Sequence, residues 1–265
     1  MLFRSLLFNT LLYPYLAISM VLLAPTIVLP RRHLTAIAKL WCRGAMMLHR
    51  VVIGAPHVWI GEERLPKGGL IVAVKHQSMW ETLALFPHFD DPVFVLKKEL
   101  MYIPVFGWWM KRFDMVPVDR SRGSSALAGM MEASRRALDE GRQILIFPEG
   151  TRRPPGAEPA YKFGIVRLYE QLGATVVPVA LDAGLVWQRR RMVQRKGRIT
   201  VEILPPIPPG LPPRAFFHTL QDAIEGRCDS LLLEAAEREG EEDMPESARA
   251  RIAALRAAAA TTAGA

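Results

Sequence analysis

Between Ser5 and Pro30 the chain carries no charged side chain. As a straight helix that stretch would extend about 39 Å, longer than the roughly 30 Å hydrocarbon core of a bilayer. Pro14 and Pro25 interrupt it and argue against one unbroken span. The run is too long for a secretory signal, and it has no clear small-x-small cleavage site. Arg31, Arg32 and His33 follow. An amphipathic stretch from Leu34 to Gly54 comes next, in which Ile37, Leu40, Trp41, Met47, Leu48 and Val51 recur at helical spacing between Lys39, Arg43 and Arg50. Tryptophan and basic residues beside an apolar run suit a membrane interface; an ordinary core helix pair is the competing reading. Residues 1–55 are therefore expected to form a two-helix membrane-attachment motif. The cations after Pro30 favour a cytoplasmic side for the domain that follows.

Beyond residue 56 the pattern changes. Short apolar, β-branched runs fall at Leu70–Val74, Val93–Lys97, Met115–Val118, Gln143–Phe147, Val176–Leu181 and Ile199–Leu204. Helix-like stretches fall at Met79–Phe86, Ser124–Glu140, Phe163–Leu172 and Arg214–Glu237. Alternation of this kind predicts an α/β domain over residues 56–235, with a central, mostly parallel sheet flanked by helices. Pro205–Pro213 reads as a stiff connector. Residues 236–265 are charged and then alanine-rich, with helical propensity but little to bury, and read as a solvated or disordered tail.

A net charge of +8 points to anionic partners. Six cations and no anion lie between Arg189 and Arg198; the cluster reads as a solvated loop or as a contact for anionic headgroups or a phosphorylated carrier. No nucleic-acid-binding motif accompanies it, so a nucleic-acid partner is not expected. Two cysteines, Cys42 and Cys228, are too few and too far apart for a disulfide framework and have no metal-ligand spacing.

Three stretches could carry chemistry. In Leu70–Glu81 an apolar strand runs into Lys75 and His76, and a helix begins near Ser78. Five residues separate His76 from Glu81. That is about 500° of helical rotation, so the two meet only if His76 precedes the helix and Glu81 lies in its first turn. Such a pair makes a base: the carboxylate fixes the imidazole tautomer, and the free ring nitrogen takes a proton. Ser78 and Glu81 also read as a capping box, and His76 as a structural histidine. In Ile144–Arg152 a strand enters Pro148 and a polar loop. There Gly150 permits close backbone approach, Arg152 can grip a phosphate bidentately, and Glu149 could orient Arg152 or accept a substrate hydroxyl. A turn with a surface ion pair is the alternative. A third strand ends at Asp119 and Arg120, at the sheet edge where ligands tend to bind. The apolar segment Ile103–Met110 reads as an acyl channel, an interfacial element or core.

Together these stretches resemble the 1-acylglycerol-3-phosphate acyltransferase family, over roughly residues 56–205. His76 to Glu81 is similar to its His-x4-acid motif. Val116–Arg120 is similar to the block ending in a substrate-binding arginine. Phe147–Arg152, with Glu149, Gly150, Thr151 and Arg152, is similar to the block that holds glycerol phosphate, and Val177–Ala180 to an apolar strand near the acyl chain. The family's usual acid is Asp, so Glu81 is a departure that bears on acceptor preference. The resemblance implies an enzyme in which His76, steadied by Glu81, deprotonates the sn-2 hydroxyl of a lysophospholipid, while Arg120 and Arg152 hold its phosphate. The donor would be acyl-CoA or acyl carrier protein, with no other cofactor and no metal required. No Gly-x-Ser-x-Gly elbow is present, so Ser78 reads as a cap and not a nucleophile. Another lysolipid acceptor, a membrane-bound lipid hydrolase and a non-enzymatic anionic-lipid binder are the competing expectations.

Overall fold

The computed structural model describes residues 1–119 and 124–263. Its centre is strand β2 (Leu70–Val74), buried along its whole length. Ile71 and Ala73 face one core, whereas Leu70, Val72 and Val74 face another. A strand covered on both faces loses the polar alternation of a one-sided sheet, which is why this segment reads as a continuous apolar run. Around it lie β1 (His57–Ile60), β3 (Pro92–Lys97), β4 (Val116–Val118), β5 (Gln143–Ile146), β6 (Val176–Leu181) and β7 (Ile199–Ile203). The seven strands run in the order β1-β7-β6-β2-β5-β3-β4. Among the described residues, β6–β7 is the one antiparallel pairing between these strands. The expected α/β class with a mostly parallel sheet is the observed one. β1 has no counterpart among the sequence candidates: it is four residues long, and it is defined by pairing with distant β7.

Helix α1 (Leu2–Leu23) continues through Pro14. A proline removes one backbone donor and crowds the preceding turn. Here α1 packs along α2 (Arg31–Ile53), which stabilises the helix across that defect. Pro25 does coincide with a break, a short 3-10 turn at Ala24–Val28. Leu2–Val28 is long and apolar enough to cross a membrane, yet the first half of α1 is seated on the sheet domain. Phe8 and Leu12 are fully buried, and Ser5 and Asn9 hydrogen-bond the basic loop: the Gln194 N–H donates to Ser5 Oγ at 2.9 Å and Asn9 Nδ2 donates to the Met192 carbonyl at 3.0 Å. The basic cluster is thus not simply solvated.

The remaining helices are α3 (Trp80–Ala84), α4 (Phe106–Arg112), α5 (Ser124–Asp139), α6 (Gly164–Leu172), α7 (Ala183–Val186), α8 (Pro213–Glu239) and α9 (Glu246–Ala263). The proline-rich connector into α8 is pinned: Ile207 bridges Val176, and the Tyr169 hydroxyl donates to the Pro208 carbonyl and accepts the Leu211 N–H. The expectation of a disordered tail over 236–265 is corrected for its described residues, 236–263. Met244, Ala248 and Ile252 are buried against Leu185, Leu232, Ala235 and Ala236, so α9 covers α8 and α7. Alanine-rich sequence hides this because small residues bury closely without an obvious apolar stripe.

Candidate active site

Parallel pairing sets Ala73 of β2 opposite Ile146 of β5. The chain leaving each strand therefore emerges side by side, with Lys75 and His76 next to Phe147–Glu149. Helix α3 begins at Trp80, so His76 precedes it and Glu81 lies in its first turn. His76 Nδ1 is 2.9 Å from Glu81 Oε1. The same oxygen accepts the N–H groups of Gln77 at 2.8 Å and Ser78 at 2.6 Å. Capping and holding the imidazole are thus one arrangement. Glu81 is fully buried, and a buried carboxylate needs such donors. With Glu81 ionised, His76 donates from Nδ1 and Nε2 is left able to accept a proton. Phe147 stacks on the imidazole at 3.9 Å between centroids and 20° between planes, which restricts the ring. Ser78 Oγ accepts the Trp80 N–H at 3.1 Å, a turn bond just ahead of the helix, whose N-cap is Met79 and not Ser78 as expected.

His76 lines a cavity of about 1140 Å³. Leu16 and Met20 of α1, Trp41 and Cys42 of α2, and Trp109 and Met110 of α4 give it apolar walls. The segment Ile103–Met110 divides its residues: Trp109 and Met110 face the cavity while Trp108 is 53% exposed. The polar part of the lining includes Lys97, Gly150, Thr151, Arg152, Lys162 and Arg189. Gly150 sits at φ 66°, a left-handed turn conformation that favours glycine. Arg152 Nε is buried without a hydrogen-bond partner among the described residues, so its guanidinium has a donor to offer. Arg189 Nη1 donates to the Arg152 carbonyl at 2.8 Å, bringing a second guanidinium to that loop. Arg120 lies outside the described residues; Asp119 beside it lines the cavity and pairs with Lys98 at 3.3 Å.

Glu149 differs from expectation. It neither orients Arg152 nor lines the cavity, because the ammonium of Lys75 draws it beneath the loop. Lys75 Nζ lies 3.0 Å from Glu149 Oε1 and 2.7 Å from Glu225 Oε1 on α8. Burial would lower the Lys75 pKa, but Glu149 and Glu225 more than reverse that and hold the ammonium charged. Burial raises the Glu149 carboxyl above its usual range, and Lys75 offsets part of the rise. Neither Lys75 nor Glu225 stood out in the sequence reading. Lys75 directly follows an apolar strand, and Glu225 adjoins the buried stripe Phe216, Leu220, Ile224 and Cys228; charges in such positions need partners.

Residues 58–182 match the family model described as Acyltransferase. A 1-acyl-sn-glycerol-3-phosphate acyltransferase from Pseudomonas aeruginosa is 38% identical over 165 residues, 62% of this chain and 64% of that protein. Residues 58–182 of this chain are thus similar to acyltransferases of that kind.

A Limnanthes douglasii enzyme of the same name is 31% identical over 172 residues, covering 60% of each chain. The alignments thus span less than two thirds of these relatives' lengths. The crystal structure of the 1-acyl-sn-glycerophosphate (LPA) acyltransferase from Thermotoga maritima superimposes with a TM-score of 0.70 at 20% identity, over 87% of this chain and 95% of that one. It shows the same fold. The matched acyltransferase segment begins in β1 and closes at Asp182, just after β6, so it holds His76, Glu81 and Arg152 but neither Arg189 nor Glu225.

Proposed function

We propose that this protein transfers a fatty-acyl group from a thioester donor, acyl-CoA or acyl carrier protein, to the sn-2 hydroxyl of 1-acylglycerol-3-phosphate, giving phosphatidic acid. One observation carries the reading: His76, oriented by buried Glu81, stands in the wall of an apolar cavity whose lining also presents Arg152. A base, an acyl-sized apolar volume and a phosphate-matching guanidinium meet in one site.

His76 Nε2 takes the proton of the acceptor hydroxyl as its oxygen attacks the thioester carbonyl. The tetrahedral intermediate collapses, the carbon–sulfur bond breaks, and the imidazolium returns its proton to the leaving thiolate. Glu81 steadies the positive charge on the ring between those steps. Arg152, with Arg120, holds the acceptor phosphate, and Gly150 and Thr151 shape that pocket. The donor acts as a substrate, and no further cofactor takes part.

The bilayer is the proposed partner of the N-terminal helices. Leu6, Ile18, Val21, Leu22, Leu40 and Met47 are exposed apolar residues on α1 and α2, and lipid would cover them at a gain of about 25 cal/mol per Å². The seating of Phe8 and Leu12 on the sheet domain supports residence in the near leaflet, and the cations after Pro30 support an active site on the cytoplasmic side.

Thiol release from acyl-CoA, measured with and without lysophosphatidic acid, tests the reading. Acceptor-dependent release that disappears in His76→Ala supports it. Release without acceptor indicates a hydrolase, and release only with other lysolipids moves the acceptor assignment.

A further inference from the structure

The His76 peptide unit is held on both sides by one segment. Its N–H faces Glu149 Oε2 at 3.4 Å, and its carbonyl accepts the Arg153 N–H at 2.8 Å. Glu149 Oε1 is bound to Lys75 Nζ at 3.0 Å. The same ammonium is gripped by both oxygens of Glu225, at 2.7 and 2.9 Å. The Tyr161 hydroxyl donates to Glu225 Oε1 at 2.9 Å. The Lys75 and Glu149 side chains are 2% and 0% exposed, and neither lines the cavity.

We infer that the chain of contacts Glu149–Lys75–Glu225 positions His76, with α8 acting through Lys75 on the backbone of the base; the inference rests on the acyl-transfer reading of His76. The cluster is poorly suited to stability alone. It sets one buried and one partly buried carboxylate against a buried ammonium, where apolar side chains of similar volume often stabilise as well or better. What an ion cluster supplies and an apolar patch does not is direction, since several short contacts fix where each atom sits. Glu149 spends one oxygen on Lys75 and turns the other toward the His76 amide. Its place therefore depends on Lys75, and that of Lys75 depends on Glu225. Displacement of a reacting group by about 1 Å can cost on the order of 100-fold in rate. Glu225 lies outside the matched acyltransferase segment, so α8 completes the catalytic loop from beyond it.

Glu225→Gln is the test. It leaves Lys75 and Glu149 as a one-to-one pair, so the buried charge stays balanced. The expected result is a fall in kcat of about 10- to 100-fold, with KM for donor and acceptor changed by no more than about threefold and little change in thermal midpoint. Glu225→Asp, which keeps the charge, should recover part of the loss. Hydrogen exchange provides a readout independent of substrate: amides of residues 75–81 should exchange faster in Glu225→Gln while β6 stays protected. If the wild type fails to turn over lysophosphatidic acid, the acceptor assignment falls and the exchange result still decides the positioning role. Unchanged kcat with unchanged exchange overturns the inference. Should Glu225→Gln fail to fold, Tyr161→Phe removes only the outermost hydrogen bond; a smaller fall in kcat supports the inference and an unaltered kcat overturns it.

Discussion

Glu81 Oε1 receives the ring nitrogen Nδ1 of His76 at 2.9 Å while also accepting two backbone N–H groups, those of Gln77 and Ser78. The amides fix the oxygen before the imidazole meets it. A glutamine at this position can keep an oxygen on those amides and on the ring N–H, but it loses the charge that stabilises imidazolium. Glu81→Gln should therefore fold with a near-native thermal midpoint and lose about 10- to 100-fold in kcat, the effect of roughly 1.5–3 kcal/mol for a charge-assisted bond. His76→Ala should lose about 10²–10⁴-fold. Steady-state kinetics on both variants checks this, and native turnover in Glu81→Gln would leave Glu81 a cap alone.

Arg152 lines the cavity with a buried Nε that no group among the described residues satisfies. Arg152→Ala should raise the acceptor KM about 10- to 100-fold, as expected for losing hydrogen bonds to a charged phosphate. The donor KM should hardly move. Kinetics with each substrate varied in turn measures both, and equal increases would remove the phosphate assignment.

Arg190, Arg191, Met192 and Val193 are exposed at the tip of the basic loop, and Asn9 and Ser5 dock that loop on α1. Basic residues near an anionic bilayer contribute about 1 kcal/mol each. Reversing both charges, as Arg190→Glu with Arg191→Glu, should weaken binding to anionic vesicles at least about tenfold. Binding to zwitterionic vesicles should change little. Co-sedimentation with the two vesicle types separates a headgroup contact from apolar insertion alone.

Asp182, at the end of β6, is fully buried, and burial pushes its carboxyl up to about 7 against the opposing effect of the Thr200 N–H, which donates to Oδ1 at 2.7 Å. Unfolded, the group titrates near 3.9. Between those values the folded chain keeps a proton that the unfolded chain has lost. The stability contributed is complete below about pH 4 and is lost as pH rises toward 7, by up to about 1.4 kcal/mol per pH unit. Asp182→Asn retains an acceptor for Thr200 and removes the dependence. Its thermal midpoint should match that of the wild type near pH 4 and exceed it at pH 8; a lower midpoint at pH 8 would contradict the assignment.

Local pattern was enough to locate much of this molecule. Leu70–Val74 and Val176–Leu181 are strands at the expected bounds because parallel strands buried on both faces must be continuously apolar. His76 and Glu81 could be paired from the sequence because only five residues and one helix start separate them. Tertiary structure alone decided the rest. Glu149 reads as a loop carboxylate facing substrate until Lys75, 74 positions away, turns it inward, and nothing in the sequence singles out Glu225 until Lys75, 150 positions away, claims it. Pro14 reads as a helix break until α2 packs beside it, and the alanine-rich tail reads as unstructured until α8 offers a surface to cover. The division follows from range: backbone periodicity and capping are set within a turn or two, whereas the partner of a buried charge is chosen only when the strands and helices that carry both groups have already met.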